Sequence, residues 1–293
     1  IWTDAAQSIL MMGAMLLLLG AAINGAGGIS LFLEKLDQVS PTYLDLGTQR
    51  FGSLGATALF AGGWLFNGLG VVGQPQVMVR FMALDNSQHM KKTGIYYFLW
   101  SSCFLSVTFV VGLSARLFIT NASGFDPELA LPTLAQNLLP AVAVGVVLGG
   151  ILSATLSTID SQVLSCSAVL SEDFKLGKGV QAKRLSTLAI VAVSLAIALF
   201  APANGFTLVI LAWSSLACTL GPLVIVHALG KRPSENTALL MMAVGFSVAM
   251  LWRHFGLNAH VYEGAPGILS ALLLYLIASF GSSKQKVKSA SPT

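Results

Sequence analysis

Residues 141–174 read AVAVGVVLGGILSATLSTIDSQVLSCSAVLSEDF, an apolar run with hydroxyl groups and one acid near its middle. A transmembrane helix needs about 20 mostly apolar residues, so this run is long enough to cross a bilayer. Residues three and four positions apart lie on the same face of a helix. One face of this helix therefore carries small and hydroxyl-bearing residues: Ala154, Ser157, Thr158, Ser161 and Ser165.

An acid at membrane depth is the second unusual feature of this run. Such a carboxyl group is costly unless it faces protein or a water-filled path, which makes Asp160 and the adjacent Ser161 functional candidates. Hydroxyl and carbonyl oxygens suit a hard monovalent cation. Two plainer interpretations stay open. The hydroxyl groups can bond back to the carbonyl four residues earlier, and Asp160 can pair with a neighbouring helix.

The composition of the chain is that of a membrane protein. Hydrophobic residues make up 55%, charged residues 10%, and the mean hydropathy is +0.78, whereas a soluble domain has about 25% charged residues. The three cysteines lie in apolar runs without a CxxC motif, which argues against metal or redox chemistry. We expect the lipid bilayer as a partner and no nucleic acid.

Charged residues divide the chain into about eight apolar segments, which predict an all-α, polytopic membrane protein. The sequence Pro202-Ala203-Asn204-Gly205 divides one long run in two. Residues 29–50 are expected to form a polar loop, and residues 131–140 a short interfacial helix. The expected segments are Ala5–Gly28, Phe51–Val79, Thr93–Ala115, Ala141–Phe174, the two halves of Leu185–His227, Thr237–Trp252 and Gly267–Phe280.

Basic residues predict the orientation of these segments. With the N-terminus inside, all but four of the 16 Lys and Arg residues fall on the cytoplasmic side, as the positive-inside rule expects. The four that fall outside are Lys35, Arg50, Arg116 and Arg253. The net charge of +4 is thus a topology signal.

The second segment contains GGWLFNGLGVVGQPQ, residues 62–76, which is unusually rich in helix breakers. Glycine costs about 1 kcal/mol in a helix, and proline removes a hydrogen bond. This helix is therefore expected to unwind or kink in the middle of the membrane. Two interpretations carry equal weight: a broken helix that lines a substrate site, or small residues that allow close helix packing.

Four motifs give the chain a family resemblance. VGQPQVMVRFMALD (72–85) resembles the GQPH-x-x-x-RFMA signature of sodium/proline symporters, and ILSATLSTIDSQVLSCSAVLSEDF (151–174) resembles their STxxSQLLxxSSxxxED signature. IWTDAAQ (1–7) and the GPL sequence at Gly221 resemble two further landmarks. The chain is identified as a member of the sodium:solute symporter family, as a C-terminal part.

The resemblance implies a LeuT-like core of two inverted five-helix repeats within one transmembrane domain, residues 1–293. Residues 1–29 would be the last helix of the first repeat, 51–230 the second repeat and 236–283 peripheral helices. Sodium, which the family co-transports, would be bound by the Ala154 carbonyl and by the hydroxyl groups of Ser157 and Thr158.

The resemblance also implies a solute site in the broken helix. Proline carriers have an aromatic pair there, which aligns with Asn67 and Val71, and this chain has Trp64 one turn earlier. With Gly68 and Gly70 these residues form the expected solute site.

The implied function is sodium-coupled symport of a small organic solute, such as an amino acid, across the cytoplasmic membrane. Two alternatives are a sodium/proline symporter specifically and a symporter-like membrane sensor of a solute. The sequence lacks paired acid, His or Cys constellations, so we do not expect an enzyme.

Overall fold

The computed structural model describes residues 2–45, 51–119, 124–174, 179–200 and 204–289, and all regular secondary structure in these ranges is helical. The α-helices are α1 (Trp2–Ala26), α2 (Ile29–Gln38), α3 (Leu54–Gly68), α4 (Pro75–Met82), α5 (His89–Phe118), α6 (Ala130–Leu138), α7 (Ala141–Ala168), α8 (Val180–Phe200), α9 (Gly205–Ala228), α10 (Glu235–His254) and α11 (Gly264–Ser289). Short 3₁₀ helices lie at Leu69–Val71, Pro127–Leu129 and Leu257–Ala259, and a π-helical turn at Val169–Asp173 extends α7.

The predicted all-α, polytopic architecture is confirmed. Within the described ranges, seven helices are long and apolar enough to cross a membrane: α1, α3 with its 3₁₀ extension, α5, α7, α8, α9 and α10. α11 adds a shorter apolar stretch, Gly264–Ser279. Each of the eight expected segments overlaps one of these helices, and α6 overlaps the expected short helix at residues 131–140.

The prediction of a polar loop after the first segment is wrong, because α2 lies there. Phe32 and Leu36 are four residues apart, so they share one face of the helix, and each is only 2% exposed. They pack with Ala22 and Ala26 of α1. The charged residues of α2 lie on its other faces and make the segment look like a loop in a hydropathy pattern.

The second segment breaks within the predicted stretch rich in glycine and proline, between α3 and α4. The α3 span continues through the 3₁₀ turn to Val71, and α4 starts at Pro75. Proline is well suited to the first position of a helix, where its missing N–H group needs no partner. Gly62 and Gly63 remain helical, so the α-helical geometry is lost only after Gly68.

The long run 185–227 is divided as predicted. α8 ends at Phe200 and α9 begins at Gly205, where the Asn204 side chain caps the helix by accepting a 2.9 Å hydrogen bond from the Thr207 N–H group. Pro202 and Ala203, which we expected to cause the break, lie outside the described residues.

The first of two compact units comprises Ile1–Leu46 and Leu84–Phe200. Its core lies among α1, α5, α6 and α7, around the fully buried side chains of Leu18, Val111, Leu134 and Val147. α1 and α7 approach closely at Gly150, where an added Cβ would lie 2.5 Å from the Ala14 Cβ. This contact holds together the two helices that carry the polar residues described below.

The second unit comprises Gly47–Ala83 and Ala201–Thr293. α9, α10 and α11 pack around Cys218, Ala249 and Ile268, which are fully buried. Gly245 allows this approach, because a Cβ there would overlap the Cys218 carbonyl oxygen. The broken helix α3 also belongs to this unit.

Candidate functional site

The hydroxyl groups of α7 follow a regular hydrogen-bonding pattern. Thr158 Oγ1 donates to the Ala154 carbonyl at 3.0 Å, Ser161 Oγ to the Ser157 carbonyl at 2.9 Å, and Ser165 Oγ to the Ser161 carbonyl at 2.9 Å. Each of these contacts reaches four residues back along the same helix, which is the plainer interpretation of these residues.

Ser157 departs from this pattern. Its hydroxyl donates instead to Asp4 Oδ1 of α1, at 3.2 Å. Both side chains are partly buried, and Asp4 lies in the first turn of α1, where the helix dipole favours a negative charge. The pair places a carboxylate oxygen beside one of the predicted cation ligands. Sequence analysis did not single out Asp4 as a candidate site residue.

The Ala154 carbonyl is already fully engaged. It lies within the continuous helix α7, so it accepts the backbone N–H of Thr158 as well as the Thr158 hydroxyl. A carbonyl oxygen has two lone pairs. A cation could therefore bind to Ala154 and Thr158 only if the Thr158 hydroxyl gave up its bond to Ala154 and turned an oxygen lone pair toward the ion.

Asp160 is exposed in the structure, and among the described residues it makes no hydrogen bond or ion pair. Ser161, by contrast, is half-buried and bonded to its own helix. The structure therefore brings Ala154, Thr158, Ser157 and Asp4 into one neighbourhood and leaves Asp160 on another face. No group of three or more His, Cys, Asp or Glu side chains suited to a metal ion occurs in the described ranges.

The residues of the predicted solute site lie in the last turns of α3 and in the 3₁₀ turn. Trp64 and Asn67 are half-buried, Gly68 is exposed, Gly70 is buried and Val71 is half-buried. Trp64 stacks on Tyr262, with ring centroids 5.1 Å apart. Asn67 Oδ1 accepts a 2.9 Å hydrogen bond from the Tyr262 hydroxyl.

The glycines near the break divide into two groups. A Cβ at Gly70 would lie 3.2 Å from the Trp213 carbonyl oxygen, and one at Gly73 would lie 2.5 Å from that of Leu216. At Gly62 and Gly68 nothing lies within 4 Å. Gly70 and Gly73 therefore permit the close approach of α9, whereas Gly68 borders open space.

Comparison with known proteins decides the family. The model of the sodium:solute symporter family matches residues 1–245, most of the chain. The chain belongs to the sodium:solute symporter family. It is accordingly a multi-pass membrane protein of a transporter family and not an enzyme.

Several curated proline transporters are similar to the chain. It is 30% identical over 290 residues to the high-affinity proline transporter PutP of Bacillus subtilis, covering 95% of this chain and 60% of the relative. It is 31% identical over 293 residues to the sodium/proline symporter of Salmonella typhimurium, covering 95% and 57%. The chain thus spans about three fifths of the length of these relatives. No solved structure is significantly similar to it.

Two residues that contact the candidate sites were not predicted as site residues. Asp4 is 153 residues from Ser157 in sequence, and Tyr262 is 195 residues from Asn67. Asp4 gave no distinguishing signal, because an acid in the first turn of a helix is favoured by the helix dipole and needs no further role there. Tyr262 lies between two segments and shows no pattern that would have singled it out.

Proposed function

We propose that this chain is part of a sodium-coupled symporter that moves a small organic solute, such as an amino acid, across the cytoplasmic membrane. Membership of the sodium:solute symporter family supports sodium as the second substrate. The relatives named as proline transporters or sodium/proline symporters support proline as the first solute to test. Residues 1–29 and 51–230 are proposed as parts of a LeuT-like inverted-repeat core, with 236–283 peripheral.

The contact between Ser157 and Asp4 is the observation that carries the proposal. A carboxylate at a membrane helix is retained where it has a partner or a function. A sodium ion beside these side chains would be attracted by the Asp4 charge, and the Ser157 hydroxyl oxygen has lone pairs to offer it. Ala154 and Thr158 would complete the oxygen set from the same two turns of α7.

Weak and reversible binding is what a co-transported ion requires. To bind sodium, Thr158 and Ser157 must exchange existing hydrogen bonds for contacts with the ion. When a polar group exchanges one polar contact for another, the free energy of binding changes by far less than when a contact forms without the loss of an existing one. The arrangement therefore favours an ion that binds, shifts the conformational equilibrium and leaves.

The solute is proposed to bind along the end of α3. Trp64 offers an aromatic surface, Asn67 offers an amide, and Gly68 leaves open space beside them. Gly70 and Val71 form the turn at which the helix changes to 3₁₀ geometry. Backbone that departs from the α-helix has polar groups available for a ligand.

The test is uptake by the complete protein in proteoliposomes, with proline and the other amino acids, against sodium concentration. Ser157→Ala and Thr158→Ala should each weaken sodium affinity about 10-fold, since a charge-assisted contact contributes about 1.5–3 kcal/mol. Solute affinity should fall with it and recover at high sodium, because the coupling is reciprocal.

Ser165→Ala is the control, because its hydroxyl bonds the Ser161 carbonyl two turns further along α7. It should leave the sodium dependence unchanged. Uptake that is independent of sodium in the unaltered protein would refute the proposal. An unchanged sodium dependence in both Ser157→Ala and Thr158→Ala would place the cation elsewhere.

A further inference from the structure

The segment between α10 and α11 folds back onto the broken helix α3. Gly256 turns the chain with a left-handed φ of 71°, and a short 3₁₀ helix follows at Leu257–Ala259. The Trp252 indole Nε1 donates a 2.9 Å hydrogen bond to the Val261 carbonyl. These contacts tie the end of the segment to α10.

A buried ion pair strengthens this attachment. Glu263 is 1% exposed, and its Oε1 lies 2.8 Å from the Arg253 guanidinium of α10. A buried carboxylate left without a partner would be strongly unfavourable. The pair therefore holds the backbone of residue 263, and with it the adjacent Tyr262, in one position.

Tyr262 is held against α3 from three sides. It is 2% exposed, its ring stacks on Trp64 at 5.1 Å with an interplanar angle of 24°, and its hydroxyl donates to Asn67 Oδ1 at 2.9 Å. The backbone of Tyr262 approaches so closely to Gly63 that a Cβ there would lie 2.9 Å from the Tyr262 nitrogen. Tyr262 cannot reach a solute itself, but it contacts two residues of the proposed solute site.

The hydrogen bond from Tyr262 determines which way the Asn67 amide points. A side-chain amide has an acceptor end and a donor end. Because Oδ1 accepts the hydrogen bond from the Tyr262 hydroxyl, Nδ2 is the end of the amide that can still bond another group. Among the described residues, Nδ2 has no hydrogen-bond partner. Asn67 thus offers N–H donors in the last turn of α3.

We propose that Tyr262 is a positioning residue that orients the Asn67 amide with its N–H donors available to the solute, so that the site selects solutes that bear a carboxylate. A carboxylate is favoured over a neutral acceptor because hydrogen bonds to a charged group are stronger. The inference rests on the proposed solute transport and adds to it the chemical group that α3 recognises.

The test measures uptake by the complete protein in proteoliposomes. The substrate is whichever of the twenty amino acids shows the largest sodium-dependent uptake. The competitor is the carboxamide of the same amino acid, which lacks the negative charge. Tyr262→Phe removes the hydroxyl and keeps the ring that stacks on Trp64. It should raise the KM about fivefold or more, leave the maximal rate within about twofold, and reduce the preference for the carboxylate over the carboxamide.

Tyr43→Phe is the matched control. The Tyr43 hydroxyl also donates to an oxygen of another helix, the Leu113 carbonyl at 2.8 Å, but it belongs to the first compact unit. This variant should keep the KM and the selectivity of the unaltered protein. Immunoblots of the liposomes correct both variants for the amount of protein inserted.

A double-mutant cycle separates positioning from general structural damage. If Tyr262 acts through Asn67, Tyr262→Phe should not raise the KM further in an Asn67→Ala background. Two results would overturn the inference: additive effects of the two substitutions on the KM, or a KM and selectivity in Tyr262→Phe equal to those in Tyr43→Phe. Sodium-dependent uptake by the unaltered protein would still uphold the proposed function in either case. Absence of sodium-dependent uptake of all twenty amino acids by the unaltered protein would overturn both this inference and the proposal that the solute is an amino acid.

Discussion

The Ser157 hydroxyl donates a 3.2 Å hydrogen bond to the Asp4 carboxylate, and this bond joins α7 to α1 across 153 residues of sequence. The neighbouring hydroxyl groups on the same face of α7 bond their own helix instead. Ser157 is therefore the position at which the hydroxyl-rich face of α7 meets a charge. This relationship leads to the first prediction.

Asp4→Asn should lower the sodium affinity of the complete transporter about 10-fold or more. The substitution keeps the size of the side chain but removes the charge, and hydrogen bonds to charged groups contribute about 1.5–3 kcal/mol. The measurement is uptake against sodium concentration. Glu34→Gln, at an exposed acid that accepts a hydrogen bond from Gln38, is the control. Equal sodium affinities in the two variants would exclude Asp4 from the cation site.

Two threonines on α7 allow a closely matched comparison. Thr155 and Thr158 each donate a hydroxyl hydrogen bond of 3.0 Å to the carbonyl four residues earlier, so replacement by valine removes the same local contact from each. If Thr158 is also a cation ligand, only Thr158→Val should lower the sodium affinity. The same sodium dependence in both variants would show that both hydroxyl groups serve the helix alone.

The glycines at the end of α3 should respond differently to substitution. A Cβ at Gly73 would meet backbone atoms of Leu216 that cannot move aside, so Gly73→Ala should destabilise the protein by about 1–3 kcal/mol. Gly68 borders open space, so Gly68→Leu should leave the amount of membrane protein unchanged and abolish uptake by filling the solute site. Thermal unfolding and immunoblots report the first effect, and uptake the second. Normal uptake in Gly68→Leu would contradict the proposed solute site.

The buried ion pair of the second unit should be needed for stability. Glu263→Ala leaves the Arg253 guanidinium, which is 23% exposed, without its partner, and we expect a loss of about 3 kcal/mol in the free energy of unfolding. Glu235→Ala removes an exposed acid from the first turn of α10 and should cost less than about 1 kcal/mol. Unfolding of the purified protein in detergent measures both. Similar values for the two variants would mean that the pair contributes little.

The predicted orientation can be tested with reporters. A fusion after Lys178 should remain cytoplasmic, and an insertion near Asp126 should be exported, because the positive-inside rule places most Lys and Arg residues on the cytoplasmic side. Localisation of both reporters on one side of the membrane would contradict the orientation.

Much of the fold was predictable because it depends on local features of the chain. Apolar runs of about 20 residues predict spanning helices, and Pro75 marks where α4 begins. α2 was missed because its burial depends on two side chains, Phe32 and Leu36, in a segment whose composition is polar. The residue at which the α-helix ends was not predictable from the glycines alone, because Gly62 and Gly63 stay helical and Gly68 is the last residue of α3.

The sequence by itself determined the membrane character of the chain, its family signatures and the hydroxyl-rich face of α7, since each depends on residue type and spacing alone. Only the tertiary structure decided that Ser157 meets Asp4 while Thr158 bonds its own helix, and that Tyr262 reaches Asn67. The physical reason is that a hydroxyl or amide group bonds whichever partner lies within about 3 Å. Helical periodicity places residues on a face, but which distant residue faces them depends on how the helices pack.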